Sequence, residues 1–416
     1  MSANSMAKGC DDNSLLRYIL NLLPDDEAAE TRRHLAGCPS CVAYLSTFQK
    51  PDDELPRRPE PNRAVDELLA RSPDLWERLF AVDHARYATP AAVQALIQAC
   101  EAALDHDLAR ADLISSILTE SADALPEGFA SRTLQALAWT RRATVLLRLG
   151  QLLNARAAVA VADERAHHIP AADFERALIA FTSADILREM GETGEALRQI
   201  REAAAVFLSY NDRRRHASAR EMEGAVLFRM GEYEAAADVF CSLLAANLGD
   251  PMVRARLAAN AAQAFVKMGK HESALPLFAT AEKLFADRGY DSYVARIIWG
   301  RARARRALGD DDALAELREV WARFERLHAD PEWVRVGIEL VEWLLPLDAF
   351  EEVRTICIAV HERAVAAPMP LEALEAISYL REAALAETLT GDRARHVRTF
   401  LEVLPSSPHA QFQLPS

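Results

Sequence analysis

Apolar residues recur along most of the chain at helical spacing, and the breaks between the runs recur as well. A large apolar residue followed by glycine closes a run at Leu149-Gly150, Met190-Gly191, Met230-Gly231, Met268-Gly269 and Leu308-Gly309. The steps are 41, 40, 38 and 40 residues, and a Thr390-Gly391 turn follows 82 residues later. A fixed period near 40 residues marks stacked helix hairpins. Aligning on the glycines exposes more of the pattern. Seven positions before each turn stands a small residue: Ala143, Ala184, Gly224, Ala262, Ala302 and, in the last, Ala384. Five positions after it stand Ala155, Ala196, Ala236 and Ala274, and nine after it Val159, Ile200, Phe240 and Phe278. Small residues let paired helices approach closely, and the larger ones wedge between neighbours. Near Pro346-Leu347-Asp348 the glycine is missing. The pattern predicts an all-α chain whose main body, residues 130–405, is an α-solenoid of helix hairpins.

The first 50 residues carry a different pattern. Leu15, Leu16, Ile19, Leu20, Leu22 and Leu23 follow Asp12, Asn13 and Ser14, which are good helix N-caps. A first helix is therefore expected over about residues 12–23. Pro24, Asp25, Asp26 and Glu27 break it and open a second, whose acidic start suits the positive end of a helix. It should run to about Leu35 and stop at Gly37. Pro39 suits the first position of a third helix, reaching about Gln49. Prolines 51, 56, 59 and 61 then predict a semi-stiff linker over 51–63. Residues 64–129 read as a helical bridge and cap: two short helices, Ala64–Arg71 and Ser72 to about Arg86, then a pair over 90–104 and 107–124. The tail, 406–416, is expected to be disordered.

The chemistry concentrates at the front. His34, Cys38 and Cys41 stand at the spacing H-x3-C-x2-C, and Cys10 lies one helical segment upstream. Three thiols and an imidazole in a short segment are what a tetrahedral zinc site requires. His34 would sit in the last turn of the second helix, Cys38 and Cys41 would form a knuckle, and Cys10 would reach in from before the first helix. A segment of this size buries little core, so a metal staple is physically useful. The chain has six cysteines, and three of them fall in this segment. Cys100, Cys241 and Cys357 lie far apart within apolar helical runs and read as packing residues. That distribution fits a reducing compartment with one metal site better than a disulfide framework.

Cys10, His34, Cys38 and Cys41, set among leucine-rich helices with a Leu-Pro-Asp-Asp-Glu break, resemble the zinc-binding anti-sigma factor domain. The resemblance covers about residues 8–49. It implies an N-terminal helical domain that holds Zn2+ and binds an extracytoplasmic-function-type sigma factor, keeping it from RNA polymerase. In some members the cysteines form a redox switch. This chain departs from many members in having no apolar run of membrane-spanning length after the domain; a repeat array follows instead. Gly231, Tyr233, Ala236 and Phe240 give the array its own resemblance, to the tetratricopeptide repeat. A period longer than the usual 34 residues implies helices longer by about a turn.

A repeat array of this kind offers a concave face lined by first helices, on which a protein or peptide partner would lie. Arg188, Arg229, Arg256, Lys267, Arg296, Trp299, Arg303 and Arg306 fall on predicted first helices and are candidates for a basic groove suited to an acidic peptide. The chain as a whole carries a net charge of −14, which disfavours nucleic acid. Arg213, Arg214 and Arg215, and the arginines at 301, 303, 305 and 306, have no accompanying set of stacking aromatics. Asp310, Asp311 and Asp312 lie at a repeat turn, where charge is expected. No phosphate-binding loop, nucleophile elbow or H-E-x-x-H pair is present, so no enzyme is expected. With no signal-like apolar start and no membrane span, the expected place is the cytoplasm. The leading expectation is a soluble anti-sigma-like transcription regulator with a second protein or peptide partner on its repeats. The alternative is an interaction adaptor whose zinc module is purely structural.

Overall fold

The fold comes from a computed structural model that describes residues 15, 18, 25–38, 41 and 62–414, apart from 105, 170, 171, 247–249, 368 and 405–409. The described residues are helical or connecting, with no strand among them. The chain divides into two compact units, Met1–Ala219 and Arg220–Ser416.

In the first unit, α1 (Asp25–Gly37) belongs to the N-terminal segment. After it come α2 (Arg63–Leu69), a 3-10 turn (Pro73–Leu75), α3 (Trp76–Val82) and α4 (His84–Tyr87). The second of the two short bridge helices is thus broken into three pieces. Asp83, at φ −136° and ψ 50°, interrupts it before His84. The fully buried Trp76 anchors these pieces: its indole N–H donates to the Arg71 carbonyl at 2.9 Å, and the Arg110 guanidinium lies 5.0 Å from its ring. The hairpin α5 (Pro90–Leu104) and α6 (Leu108–Asp123) follows, close to the expected bounds. Asp107 caps α6 by accepting from the Arg110 N–H at 2.9 Å. Then come α7 (Phe129–Arg148) with α8 (Leu152–His167), and α9 (Asp173–Glu189) with α10 (Thr193–Ser209). Helix α11 (Arg213–Arg229) carries the division between the units.

The second unit continues with α12 (Tyr233–Ala245), α13 (Pro251–Lys267), α14 (His271–Ala286), α15 (Asp291–Ala307) and α16 (Ala313–Arg326). It ends with α17 (Asp330–Leu344), α18 (Phe350–Ala366), α19 (Leu371–Leu385) and α20 (Gly391–Val403). Each helix packs on the next, and α20 also returns to α17, so the last four close into a ring. Their shared core runs through Val341, Ile356, Ile377 and Val397. Of the tail expected to be disordered, residues 410–414 are described, and there Phe412 packs against Phe400 with ring centroids 5.2 Å apart while His396 Nε2 lies 2.8 Å from the Gln413 carbonyl oxygen.

The turns explain the period. Gly150, Gly191, Gly231, Gly269 and Gly309 all have φ between +73° and +84°, a conformation that costs glycine nothing. Each ends its helix with a bond of the Schellman type; the Glu232 N–H, for example, donates to the Leu227 carbonyl at 3.0 Å. The array does not lose its period where the glycines stop. Asp348 (φ 54°) and Glu387 (φ 58°) take the same left-handed turn, each 39 residues after the last, at 309, 348 and 387. The Thr390-Gly391 pair is therefore not the equivalent turn: Thr390 caps the start of α20 and Gly391 is its first residue.

Small first-helix positions take large second-helix side chains. Ala143, Ala184, Ala262 and Ala302 are fully buried. At Gly224 on α11, a Cβ would stand 2.6 Å from the ring of Phe240 on α12. At Gly300 on α15 it would meet the Phe278 ring of α14 at 2.8 Å. Alanine gains about 1 kcal/mol over glycine in helix propensity, but overpacking costs about 1–3 kcal/mol. Gly224→Ala should therefore lower the unfolding midpoint in urea, although it improves the helix. With Phe240→Leu in the same chain the two losses should be less than additive, because the shorter side chain leaves room for the methyl. Additive losses would show that the two positions do not meet.

Candidate metal centre and partner clefts

Helix α1 positions the front of the centre. Its first turn is acidic by sequence, and its last carries His34. The helix ends at Gly37, and the Cys38 N–H turns back to the Leu35 carbonyl at 3.4 Å. Cys41 is again helical and has no exposed surface. This brings the Cys41 Sγ to 3.2 Å from His34 Nε2. The three donor atoms of His34, Cys38 and Cys41 all lie within 4.8 Å of one another. Leu15, Tyr18 and Leu35, all buried, pack around Cys41 with Ala28 and Cys38.

Tetrahedral zinc, with bonds of about 2.3 Å to sulfur and about 2.0–2.1 Å to nitrogen, places its ligand atoms roughly 3.5–3.8 Å apart. The donor separations here, 4.8 Å at most, need adjustment by about 1 Å to meet that. The donor chemistry, two thiols and an imidazole, suits zinc rather than calcium or magnesium, which take oxygen ligands. Among the described residues, no other group of three His, Cys, Asp or Glu gathers in this way. Asp310 in particular is engaged elsewhere: it accepts from Arg305 at 2.7 Å, and that bond holds its carboxyl below the usual range. Cys10 lies outside the described residues, as do most of the expected first and third helices and the linker before Asn62.

Residues 14–41 match a family described as "Putative zinc-finger". This segment is a zinc-finger domain. The match includes His34, Cys38 and Cys41 and begins after Cys10. No curated protein matches the chain. Two of the solved structures similar in fold illustrate the likeness. Aspartyl phosphate phosphatase F from Bacillus subtilis has 11% identity and a TM-score of 0.52, over 86% of this chain and 96% of that one. The apo form of the quorum sensor NprR from B. thuringiensis also has 11% identity and a TM-score of 0.52, over 81% and 97%. At that identity the likeness is one of architecture: the zinc finger precedes an α-solenoid of tetratricopeptide-like hairpins. No helix among the described residues is long and apolar enough to cross a membrane.

The arginines of the expected basic groove meet a different fate. Arg188 pairs with Asp185 at 2.6 Å and Arg256 with Glu221 at 3.1 Å. Arg296 reaches Glu332 at 2.5 Å, and Arg303 the buried Glu339 at 2.6 Å. Arg306 lies over the Trp343 ring, 4.6 Å from its centroid. Of the other basic clusters, Arg215 holds Asp212 at 2.5 Å, and Arg301 binds both Glu282 and Glu316. The first helices thus carry interhelical ion pairs where the sequence suggested a continuous cationic face.

Each unit has a cleft of its own. In the first, Leu137, Leu178 and Phe181 contribute apolar surface and Gln94, Gln98 and Thr144 polar groups to a cavity of about 600 Å3. That lies within the roughly 300–1,000 Å3 usual for ligand sites. The cleft is lined mainly by first helices, α5, α7, α9 and α11. In the second unit a smaller cleft, about 250 Å3, lies among α13, α15, α17 and α20.

Of the remaining cysteines, Cys100 and Cys357 are buried packing residues and Cys241 is half-buried. Burial pushes the Cys100 and Cys357 thiols up to about 11 and about 12. A thiol with a pKa near 11 is roughly one part in a thousand thiolate at pH 8. Cys100 and Cys357 should therefore escape alkylation by iodoacetamide at pH 8 in the native chain and react only on denaturation, as read by peptide mass mapping. Labelling of either in the native chain as fast as the half-buried Cys241 would show that its helix opens.

Proposed function

We propose that this protein is a cytoplasmic, zinc-binding regulator of the anti-sigma type. Its N-terminal finger would bind an extracytoplasmic-function-type sigma factor, and its helical repeats would receive a second protein or a peptide. The observation that carries this reading is the convergence of His34, Cys38 and Cys41 inside the segment that matches the zinc-finger family. With Cys10 as fourth ligand the set would be three thiolates and one imidazole, a closed coordination of the structural kind. Bound there, zinc would supply folding energy. Structural zinc contributes about 10–16 kcal/mol of apparent binding free energy in small finger peptides. A segment of about 50 residues buries little core, so the finger would depend on that contribution far more than the repeats do. The cleft of the first unit supports the partner reading for the repeats, because apolar surface interrupted by amide and hydroxyl groups suits an extended peptide.

The full chain, expressed with zinc, should hold one zinc per molecule by elemental analysis. Cys41→Ser and His34→Ala should each lose most of it, and so should Cys10→Ser. The zinc-loaded chain should retain a sigma factor of the extracytoplasmic-function group in a pull-down, and the Cys41→Ser chain should not. Zinc bound at one equivalent with no sigma factor retained would reject the anti-sigma reading and leave the adaptor, in which the metal only holds the finger together.

A further inference from the structure

Ion pairing in the second unit leaves a remainder. Arg256, Arg296, Arg303 and Arg398 all hold carboxylates of the chain. Lys267 on α13 and Arg335 on α17 hold none among the described residues. Both line the 250 Å3 cleft, together with Arg303, Arg398, Trp299 and Glu402. In a protein of net charge −14, two unmatched cations facing one small cavity are not the product of a generally basic surface.

The walls say what the cavity takes. Trp299 spends its indole N–H on Glu339 at 2.7 Å, and Arg303 lies over its ring at 4.6 Å, so its donor and one ring face are already taken. The volume falls below the usual range for nucleotide-sized ligands and suits one short side chain or a small acid. Ile338 and Leu401 make part of the lining apolar, which strengthens a charge pair formed there. One edge of the cleft already binds an acid. Glu402, on α20, stands 3.3 Å from Arg303 and 2.8 Å from Arg398. The chain's own carboxylate thus occupies the side next to α20, while Lys267 and Arg335 stand without an anion.

We propose that this cleft is a carboxylate-binding site, in which Lys267 and Arg335 pair with an acidic group supplied from outside the chain. The acid is either a glutamate or aspartate side chain on a partner peptide or a free dicarboxylic acid. The inference rests on the reading of the repeats as partner-binding elements and is independent of the finger.

The test uses the full chain, titrated by calorimetry with an amidated, acetylated tri-glutamate peptide, with glutarate and with inorganic phosphate. At least one of the two carboxylate probes should bind, and more tightly than phosphate. Tri-glutamate without glutarate identifies a peptide as the source, and glutarate as tight as tri-glutamate identifies a free acid. Lys267→Gln and Arg335→Gln should each weaken binding about tenfold, Arg335→Lys only about threefold, and Arg306→Gln not at all. Rising salt should weaken it steeply. Circular dichroism melts check that the variants fold, and Lys267 is exposed enough that its change leaves the packing intact. No binding of either carboxylate, phosphate bound as tightly, or binding untouched by both glutamine variants would overturn the proposal. None of these results bears on zinc stoichiometry or sigma-factor capture, so the two readings fail separately.

Discussion

The array depends on how closely two helices can lie where one of them has almost no side chain. Gly224 leaves room for the ring of Phe240, Gly300 for Phe278 and Gly337 for Val360, and the methyl group of an alanine at any of these places would collide with what it faces. Such closeness fixes the register of each hairpin, because a slip of one residue replaces the gap with a bulky neighbour. It also explains the composition. A chain with 7% aromatic residues can still be well packed if its few rings enter sites that small residues have cleared. Phe240 and Phe278 are essentially solvent-free at such places.

With the helices this close, the polar faces must be neutralised in place. Arginines of the first helices are paired with acids in that way. Arg256 reaches back to Glu221 across 35 residues, and Arg296 and Arg303 reach forward to Glu332 and Glu339 across 36. Each pair joins first helices of adjacent hairpins, so the pairs tie one repeat to the next. Exposed pairs of this kind are worth about 0–1 kcal/mol each. The Glu339 carboxylate is different, being almost fully buried. Burial works against the charge of Arg303, and Glu339 more than offsets it, holding the guanidinium above its ordinary range. Removing either partner would leave a buried charge unmatched.

What could be read from the sequence, and what could not, follows from the same geometry. Glycine at a left-handed turn is legible because few other residues adopt that backbone cheaply. Asp348 and Glu387 hide the last two turns, since each accepts about 1–3 kcal/mol of strain that the packed helices on either side repay. Thr390 and Gly391 then mimic the lost signal four residues too late. The clustering of His34, Cys38 and Cys41 was legible because they sit within eight residues, so local helix geometry alone nearly brings them together. The basic groove was misread for the opposite reason: most of the acids that neutralise it come from the adjacent repeats, before or after. A charge pairing recurring at 35–36 residues, just short of the repeat period, was the signal that would have found them.

The two parts of the chain therefore hold themselves together in different ways. In the array, each hairpin is secured by its neighbours on both sides, so losing one side chain is absorbed locally. The finger is a segment of about 50 residues, a size at which buried area alone gives little stability, and three donor atoms within 4.8 Å offer another source of it. An element stabilised by one bond set is all-or-none with respect to that set: remove a thiolate and the whole segment loses its reason to be ordered. An element stabilised by many similar contacts is graded. A switch requires the first kind and a scaffold the second, and on the proposed coordination this chain puts the first kind at its start and devotes the rest to the second.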